Sequence, residues 1–386
     1  MTQGRKGHAC TRCRRLLAGP FFLCLVAALA GCQSIGYYHQ AIRGECQILI
    51  HRQPIQKLTA DPGTSPELKE KFKLVLRLRE FAQNELKLPI DGQYLHYVDL
   101  HRPYAVWNVH AAPAFSLEPK TWWYPFVGGL KYRGYFSETD AQRYARGLEK
   151  KGWEVYVEGV QAYSTLGWFK DPLLNTFISE PEPELAETLF HELAHQRFFI
   201  SGDTDFNEAF ATTVGEEGAR RWLTRQNEPA TIQKYAAALE RQERFVQLIM
   251  AARETLKSVY KDKPAARLSG QNSASQSEAS AELRSQREQV IAQLREGYAG
   301  IKVQWGGNSG YDSWFTNSLN NAQLNTVATY YDLVPGFRAL LREKGEDLEG
   351  FYAEVKILGK LRKAERHQKV KAAAQRPRAE SGAIAK

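Results

Sequence analysis

The chain has 386 residues, and its 43% hydrophobic and 25% charged content is typical of a globular protein with a sizeable core. Its net charge of +9 divides into +5 in residues 1–31, +7 in residues 360–386 and −3 in the residues between them. Because the basic excess lies at the two ends, and the body has no recognition motif, the composition argues against a protein that binds nucleic acid.

The N-terminus has the features of a secretion signal. Basic residues end at Arg15, and the apolar stretch 16–29 is shorter than the roughly 20 residues that span a bilayer. Residues 29–32, Leu-Ala-Gly-Cys, resemble the lipobox of bacterial lipoproteins. The resemblance implies a signal peptide over 1–31 and a lipid anchor at Cys32. Because Gln33 follows the cysteine, it also implies a place in the cell envelope, at the periplasmic face of the outer membrane. An uncleaved membrane anchor is the alternative.

The next part of the chain predicts two helices followed by a sheet. Apolar positions at helical spacing predict a helix over 36–53, and Pro66 at a first helical position begins another that runs to about Leu88. Residues 90–170 are rich in aromatic and β-branched residues and are punctuated by Gly and Pro. They predict a small antiparallel or mixed sheet that contains a short helix over 138–150.

From Pro181 onward the chain is predicted to be mainly helical. The periodicity predicts helices over 184–199, 206–226, 229–260, 279–298, 318–344 and 346–360. Low-complexity sequence predicts a flexible insertion near 265–280, and the basic tail 361–386 is predicted to be disordered. We therefore divide the body into 32–200, with N-terminal helices, sheet and helix 184–199, and a mainly helical part 201–360.

The predicted helix 184–199 carries a metal-binding pattern, since residues 191–195 read His-Glu-Leu-Ala-His. Residues four apart share a helix face, so His191 and His195 can both reach one zinc ion, with Glu192 beside them as general base. Two surface histidines that form the pattern by chance are the alternative. The rest of the helix is apolar, however, which predicts burial, and buried histidines need partners.

A third metal ligand is predicted on the next helix, because catalytic zinc usually has three protein ligands and one open position. A turn over 202–205 precedes Glu208, which falls in the first helical turn and can point back at the histidines. Its alternative role is to favour the helix N-terminus. Glu216 and Glu217, two turns or more farther on, are rival ligands. The developing oxyanion needs a second stabiliser, for which the candidates are Tyr311, Tyr330 and Tyr331.

These motifs resemble those of known metallopeptidases. Residues 191–195 followed by 207–211, Asn-Glu-Ala-Phe-Ala, resemble the gluzincins, in which the second-motif Glu is the third zinc ligand. More closely, the chain from Cys32 to Lys360 resembles the predicted zinc aminopeptidase lipoproteins of Gram-negative bacteria. The stretches that carry this resemblance are 132–136, 162–169, 190–196, 202–212 and 320–322. Two departures are the short spacing between His195 and Glu208, and Thr212 where several gluzincins have Asp.

The resemblance implies a helix-rich α+β, gluzincin-like fold, with a small mixed sheet packed on the HExxH helix and a mainly helical C-terminal part. It implies zinc-dependent hydrolysis of peptides in the cell envelope, by aminopeptidase action. It also implies that 162–167 is a sheet edge that pairs with the substrate backbone; an ordinary core strand is the alternative. The predicted substrate-binding residues are Ala162, Tyr163, Ser164 and Tyr331.

Several alternatives remain open. The protein can be an endopeptidase of envelope proteins, or an inactive metal-binding scaffold or chaperone, although a structural site needs no general base such as Glu192. An aminopeptidase must bind the free α-amine, and 162–167 contains no acid. The candidate acids are Glu187, Glu216 and Glu217. The irregularly spaced His96, His101 and His110 are predicted to be polar surface residues. The sequence does not determine the oligomeric state.

Overall fold

The computed structural model describes residues 32–262, 273–316 and 318–376. The chain forms two compact units, residues 1–50 and 51–386. Helix α1 (Cys32–His51) supplies the described part of the first unit. Within the described ranges, none of the helices has the length and apolar character needed to cross a membrane. The predicted signal peptide, residues 1–31, lies outside the described residues.

The second unit begins with short elements around one long helix. Strand β1 (Gln53–Pro54) and helix α2 (Ile55–Ala60) precede helix α3 (Pro66–Asn84). Helix α3 begins where its sequence predicts, because the Ser65 side chain accepts a hydrogen bond from the Leu68 amide and Pro66 needs no amide partner. It ends one turn before the predicted Leu88.

The predicted sheet region folds into three small sheets. Strand β2 (His96–Val98) lies between antiparallel β1 and parallel β8 (Leu173–Leu174). Strand β3 (Val106–Pro113) lies between β6 (Arg133–Tyr135) and β7 (Trp153–Val160), both antiparallel to it. Strands β4 (Trp122–Tyr124) and β5 (Gly128–Leu130) form a hairpin. In the described part of the chain β7 pairs with β3 alone, so β7 is an edge strand.

The central sheet is covered by a helix on each face. Helix α4 (Glu138–Glu149) contacts one face through Tyr144, whose ring lies 5.6 Å from that of Tyr135. Helix α11 (Asn321–Tyr331) covers the other, where the Asn321 amide donates to Glu154 at 2.8 Å. The resemblance implied a small mixed sheet packed on the HExxH helix. Helix α11 contacts both the central sheet and the helix that follows 184–199 in the chain.

The C-terminal half is helical, as predicted, and the helix-rich α+β class is confirmed. Its helices in chain order are α5 (Asn175–Ile178), α6 (Glu182–Arg197), α7 (Thr204–Gln226), α8 (Pro229–Asp262), α9 (Ser273–Gln304), α10 (Asp312–Phe315), α11, α12 (Val334–Glu343), α13 (Leu348–Gly359) and α14 (Lys363–Ala374). Helices α8 and α9 pack side by side around an apolar core that also includes Phe315 of α10 and Leu324 of α11. The predicted flexible insertion near 265–280 is contradicted from Ser273 onward by α9, and residues 263–272 lie outside the described residues.

The prediction of a disordered tail over 361–386 is wrong for α14. This helix packs against α12 and buries Arg366, Val370 and Ala373, which lie on one face. The Arg366 guanidinium also donates two hydrogen bonds, of 2.6 and 2.9 Å, to the Asp203 carboxylate just before α7. These long-range contacts outweigh the basic composition that predicted disorder. Residues 377–386 lie outside the described residues.

Candidate metal centre

Helix α6 provides the first two candidate ligands. It begins with Glu182 and Glu184 in its first turn, where acids are favourable, and it buries Leu185, Leu189 and Leu193 completely. His191 and His195 lie on one face of this helix and are directed towards α7. A buried helix with two imidazoles on one face is the arrangement that the sequence predicted.

Helix α7 lies unusually close to α6. At Gly215, an added Cβ would lie 2.9 Å from the Glu187 carbonyl oxygen and 3.2 Å from the His191 Cβ, so a side chain there would separate the helices. The short loop 198–203 is fixed by Asn207, whose side chain accepts a hydrogen bond from the Ile200 amide and donates one to its carbonyl, at 2.9 and 2.8 Å. This approach brings Glu208 to the histidines despite the short spacing in sequence.

Three side-chain atoms form a nearly equilateral triangle. The His191 and His195 Nε2 atoms are 3.2 Å apart, and Glu208 Oε2 lies 3.4 Å from the first and 3.5 Å from the second. Ligand atoms bound tetrahedrally at about 2.0–2.1 Å lie about 3.3–3.4 Å apart. Two imidazoles and one carboxylate at this spacing therefore fit a metal ion of the size of zinc. The predicted group is brought together, and its composition is compatible with a metal.

The charges in this group are coupled. Burial raises the pKa of Glu208, but the charge of His195 and hydrogen bonds from both histidines outweigh it and lower the pKa to about 2. Burial lowers the pKa of His195, but Glu208 outweighs that effect and raises it. Glu208 is therefore ionised over the physiological range, as a ligand of a cation must be.

Glu192 is buried next to the triangle. Burial raises the pKa of its carboxyl, and the positive charges of His191 and His195 offset only part of that rise. A carboxylate with a raised pKa is a better proton acceptor than an exposed one. Its place and its protonation equilibrium both suit a general base.

The three candidate tyrosines have different surroundings. Burial raises the pKa of Tyr330 well above its usual value, and the charges of Glu208 and Glu192 contribute to the rise. The Tyr331 hydroxyl instead accepts a hydrogen bond of 2.7 Å from Gln242. Tyr311 stacks on Phe245 at 4.1 Å between ring centroids. Of the three, Tyr330 is the one whose pKa is raised by the charges of both the candidate ligand Glu208 and the candidate base Glu192.

The rival ligands have other partners. Arg338 donates to Glu216 at 2.6 and 3.1 Å, and Glu217 binds Arg220 and Arg221. Glu187 accepts a 2.7 Å hydrogen bond from the Tyr235 hydroxyl, and burial and then the charge of Glu216 raise its pKa to about 7. The structure does not bring Glu216 or Glu217 into the ligand triangle.

The predicted edge strand over 162–167 is not formed, because β7 ends at Val160. Ala162 is buried, the Tyr163 ring packs at 5.8 Å from Phe136, and Ser164 donates to Asp171 at 3.4 Å. An added Cβ at Gly167 would lie 3.9 Å from the Gln196 side chain, which follows His195. The segment thus lies beside α6 as an irregular loop.

Sequence reasoning missed two features near the centre. His110 was predicted to be a surface residue, but it is only 5% exposed, and its Nε2 lies 3.5 Å from Glu158 Oε2. Alternating polar residues in β3 and β7 were the signal for this buried polar sheet face. The second feature is the Asp203 group, made of Asp203, Asp205 and His367, whose ligand atoms also lie within 4.8 Å of one another.

The chain matches one family model. The model is that of Aminopep, described as "Putative aminopeptidase", and it matches residues 36–370, which include the whole candidate centre. The comparisons with curated proteins and with solved structures found no match.

Proposed function

This chain belongs to the family described as "Putative aminopeptidase", and from that premise we propose that it hydrolyses peptide bonds with one zinc ion. The proposed ligands are His191, His195 and Glu208, and the proposed fold is gluzincin-like. The observation that carries the proposal is the triangle of ligand atoms with sides of 3.2, 3.4 and 3.5 Å. Two histidines and one glutamate are a set typical of catalytic zinc, which keeps one position open.

The proposed chemistry divides the work among a few side chains. A bound zinc ion polarises the scissile carbonyl and lowers the pKa of a water molecule. Glu192 accepts the proton of the attacking water and returns it to the leaving amine. The Tyr330 hydroxyl donates a hydrogen bond to the substrate oxygen as negative charge develops there.

Aminopeptidase action is the proposed specificity, and it agrees with the description of the family. We propose that it acts on peptides in the cell envelope, with the protein held at the periplasmic face of the outer membrane by a lipid on Cys32. The lipobox-like residues 29–32 support this location. Glu192 beside the triangle favours an enzyme over an inactive scaffold, since a purely structural site needs no proton acceptor.

The test is zinc content measured together with hydrolysis. The purified body, residues 33–386, is compared with His195→Ala and with the matched control His39→Ala, an exposed histidine on α1. One zinc per chain, lost in His195→Ala and kept in the control, supports the proposal when cleavage of N-terminally free peptides is lost with it. A parent protein without zinc contradicts the metal site, and zinc without cleavage supports the scaffold. Cleavage of N-acetylated peptides shows an endopeptidase.

A further inference from the structure

The central sheet turns a polar face towards the candidate metal centre. In the register of β3 and β7, Asn108 lies opposite Glu158 and His110 lies opposite Tyr156. Paired residues, and residues two apart along a strand, share a face, so these four side chains form one surface. We call it the polar sheet face. Because Glu154 lies on the same side of β7 and binds α11, this is the face that α11 covers.

Helix α11 links this face to the centre. It packs on β3 and β7 with one side and on α7, which carries Glu208, with another. Tyr330, on its last turn, is buried, and the charges of Glu208, Tyr132, Glu158 and Glu192 further raise the pKa of its hydroxyl. Because the first residue of α11 binds Glu154 and the helix packs on β3 and β7, Glu158 and Tyr330 lie on the same side of the central sheet.

Glu158 differs from its neighbours because no protein cation balances it. No lysine or arginine in the described ranges forms an ion pair with it, whereas Glu154 binds Arg287 at 2.6 Å and Glu216 binds Arg338. Its side chain is 36% exposed, so a ligand can reach it from solvent.

His110 completes this arrangement from the buried side. Its side chain is 6% exposed, and its Nε2 lies 3.5 Å from Glu158 Oε2. That nitrogen has no hydrogen-bond partner among the described residues. A buried polar atom in this state is costly, and a ligand that draws the carboxylate and the imidazole together would relieve it.

We propose that Glu158, backed by His110, binds the free α-ammonium group of the substrate, an inference that rests on the proposed peptidase function. In a peptide the nitrogen of the first residue lies about 2.5 Å from its own carbonyl carbon. The group that binds it must therefore lie on the side of the sheet that α11 and Tyr330 occupy, as Glu158 does. A substrate lysine or arginine side chain offers the same charge, but its nitrogen extends several bonds farther away.

This subsite selects for an exopeptidase. An ammonium group donates charge-assisted hydrogen bonds to Glu158, which are about twice as strong as neutral ones. The amide of an internal peptide bond would remove water from the same carboxylate without supplying charge. Internal bonds would therefore be bound less well than the first bond of a free peptide.

Binding can be measured separately from catalysis. In a zinc-loaded Glu192→Gln background, which lacks the proposed general base, calorimetry compares leucine amide with N-acetylleucine amide. We expect the free amide to bind about 10- to 100-fold more tightly, and Glu158→Gln to abolish that difference. Asp99→Asn is the matched control, because Asp99 also pairs with a histidine, His101, at 3.4 Å, and it should keep the difference. Glu187→Gln tests a rival candidate acid and should also keep it. Equal binding of both amides, or loss of the difference in Glu187→Gln alone, overturns the proposal.

Kinetics in the otherwise native protein provide the second readout. Glu158→Gln should raise KM for N-terminally free peptides about 10- to 100-fold while zinc content and the unfolding midpoint stay unchanged. Glu158→Asp, which keeps the charge, should lose less and serves if the amide variant does not fold. Peptides with either lysine or norleucine, each with a free or an acetylated terminus, test the alternative. If Glu158→Gln raises KM only for the lysine peptides, whether or not their terminus is free, the subsite binds side chains and the α-ammonium assignment is wrong. If the protein has neither zinc nor hydrolytic activity, the proposed function is contradicted. The α-ammonium proposal is still tested separately, because the calorimetry can also be run on the protein without zinc.

Discussion

In the described part of the protein, two groups bring carboxylates and imidazoles within 4.8 Å of one another, and they differ in how their charge is balanced. In the candidate metal centre, Glu208 pairs with His191 and His195, and no lysine or arginine of the described residues pairs with it. In the Asp203 group, Arg366 and Lys363 bind Asp203, and Lys131 binds Asp205. The first group is compatible with a cation from outside, whereas the second already contains lysine and arginine cations of the protein.

The comparison teaches that distance alone does not identify a metal site. Arg366 donates to Asp203 through two nitrogens and fills the directions that a metal would use. The Asp203 group instead ties α14 to the start of α7, the helix that carries Glu208. One group is suited to binding an ion, and the other positions the helix that supplies one of its ligands.

The largest effect is expected when a ligand is removed from the candidate metal centre. Glu208→Gln removes the charge that a metal ion needs, so zinc content should fall from one per chain to near zero, and hydrolysis should fall with it. Elemental analysis and a peptide assay on the same preparation measure both. Asp205→Asn in the Asp203 group is the control and should keep its zinc. Zinc retained in Glu208→Gln would show that another residue is the third ligand.

Loss of the proton acceptor should come next. Glu192→Gln should lower kcat about 10²- to 10⁴-fold, because general base catalysis contributes that much, while zinc content is unchanged. Steady-state kinetics with parallel metal analysis separate the two quantities. Activity that survives this substitution would remove Glu192 from the mechanism.

The two adjacent tyrosines provide a matched pair. Tyr330→Phe should lower kcat about 10²-fold or more with little change in KM, since it removes one donor to the developing charge. Tyr331→Phe should have a much smaller effect, because its hydroxyl is bound to Gln242. The reverse order of the two effects would assign the role to Tyr331.

The smallest effect on hydrolysis is expected for a substitution in the Asp203 group, which should instead lower stability. Arg366→Ala leaves Asp203 with His367 and Lys363 and should lower the free energy of unfolding by about 3 kcal/mol. Denaturant unfolding measures the change, and exposed Arg376→Ala on the segment after α14 is the control. An unchanged free energy of unfolding would show that α14 does not anchor α7.

The pH dependence of stability sharpens the same point. Burial raises the pKa of Asp203, but His367, Lys363 and Arg366 outweigh it and hold the pKa below its usual value. The contribution of this group is therefore present above about pH 4 and is lost as pH falls through the lowered pKa. Unfolding midpoints from pH 7 to pH 2 should fall less steeply for Arg366→Ala than for the parent protein. Parallel curves would contradict this contribution.

Local sequence predicted a large part of the fold and of the site. The start of α3, the helical C-terminal half and the face shared by His191 and His195 follow from capping residues and from the period of a helix. Such signals were insufficient where partners lie far apart in the chain. The tail predicted to be disordered contains α14, because Arg366 meets Asp203. The edge strand expected over 162–167 is a loop bound to Asp171, whose own amide donates to Gln93, 78 positions earlier in the chain.

The sequence by itself determined the composition of the centre, because two histidines four apart and a following glutamate on the next helix are fixed by helix geometry. Only the tertiary structure showed that Glu208, and not Glu216, lies beside the histidines, that Tyr330 and Tyr331 have different surroundings, and that His110 lies beside Glu158. These differences depend on which helix packs against which strand, and on which carboxylates form an ion pair with an arginine. Contacts between residues distant in the chain, such as Glu216 and Arg338, which are 122 positions apart, decide that, and no local period encodes them.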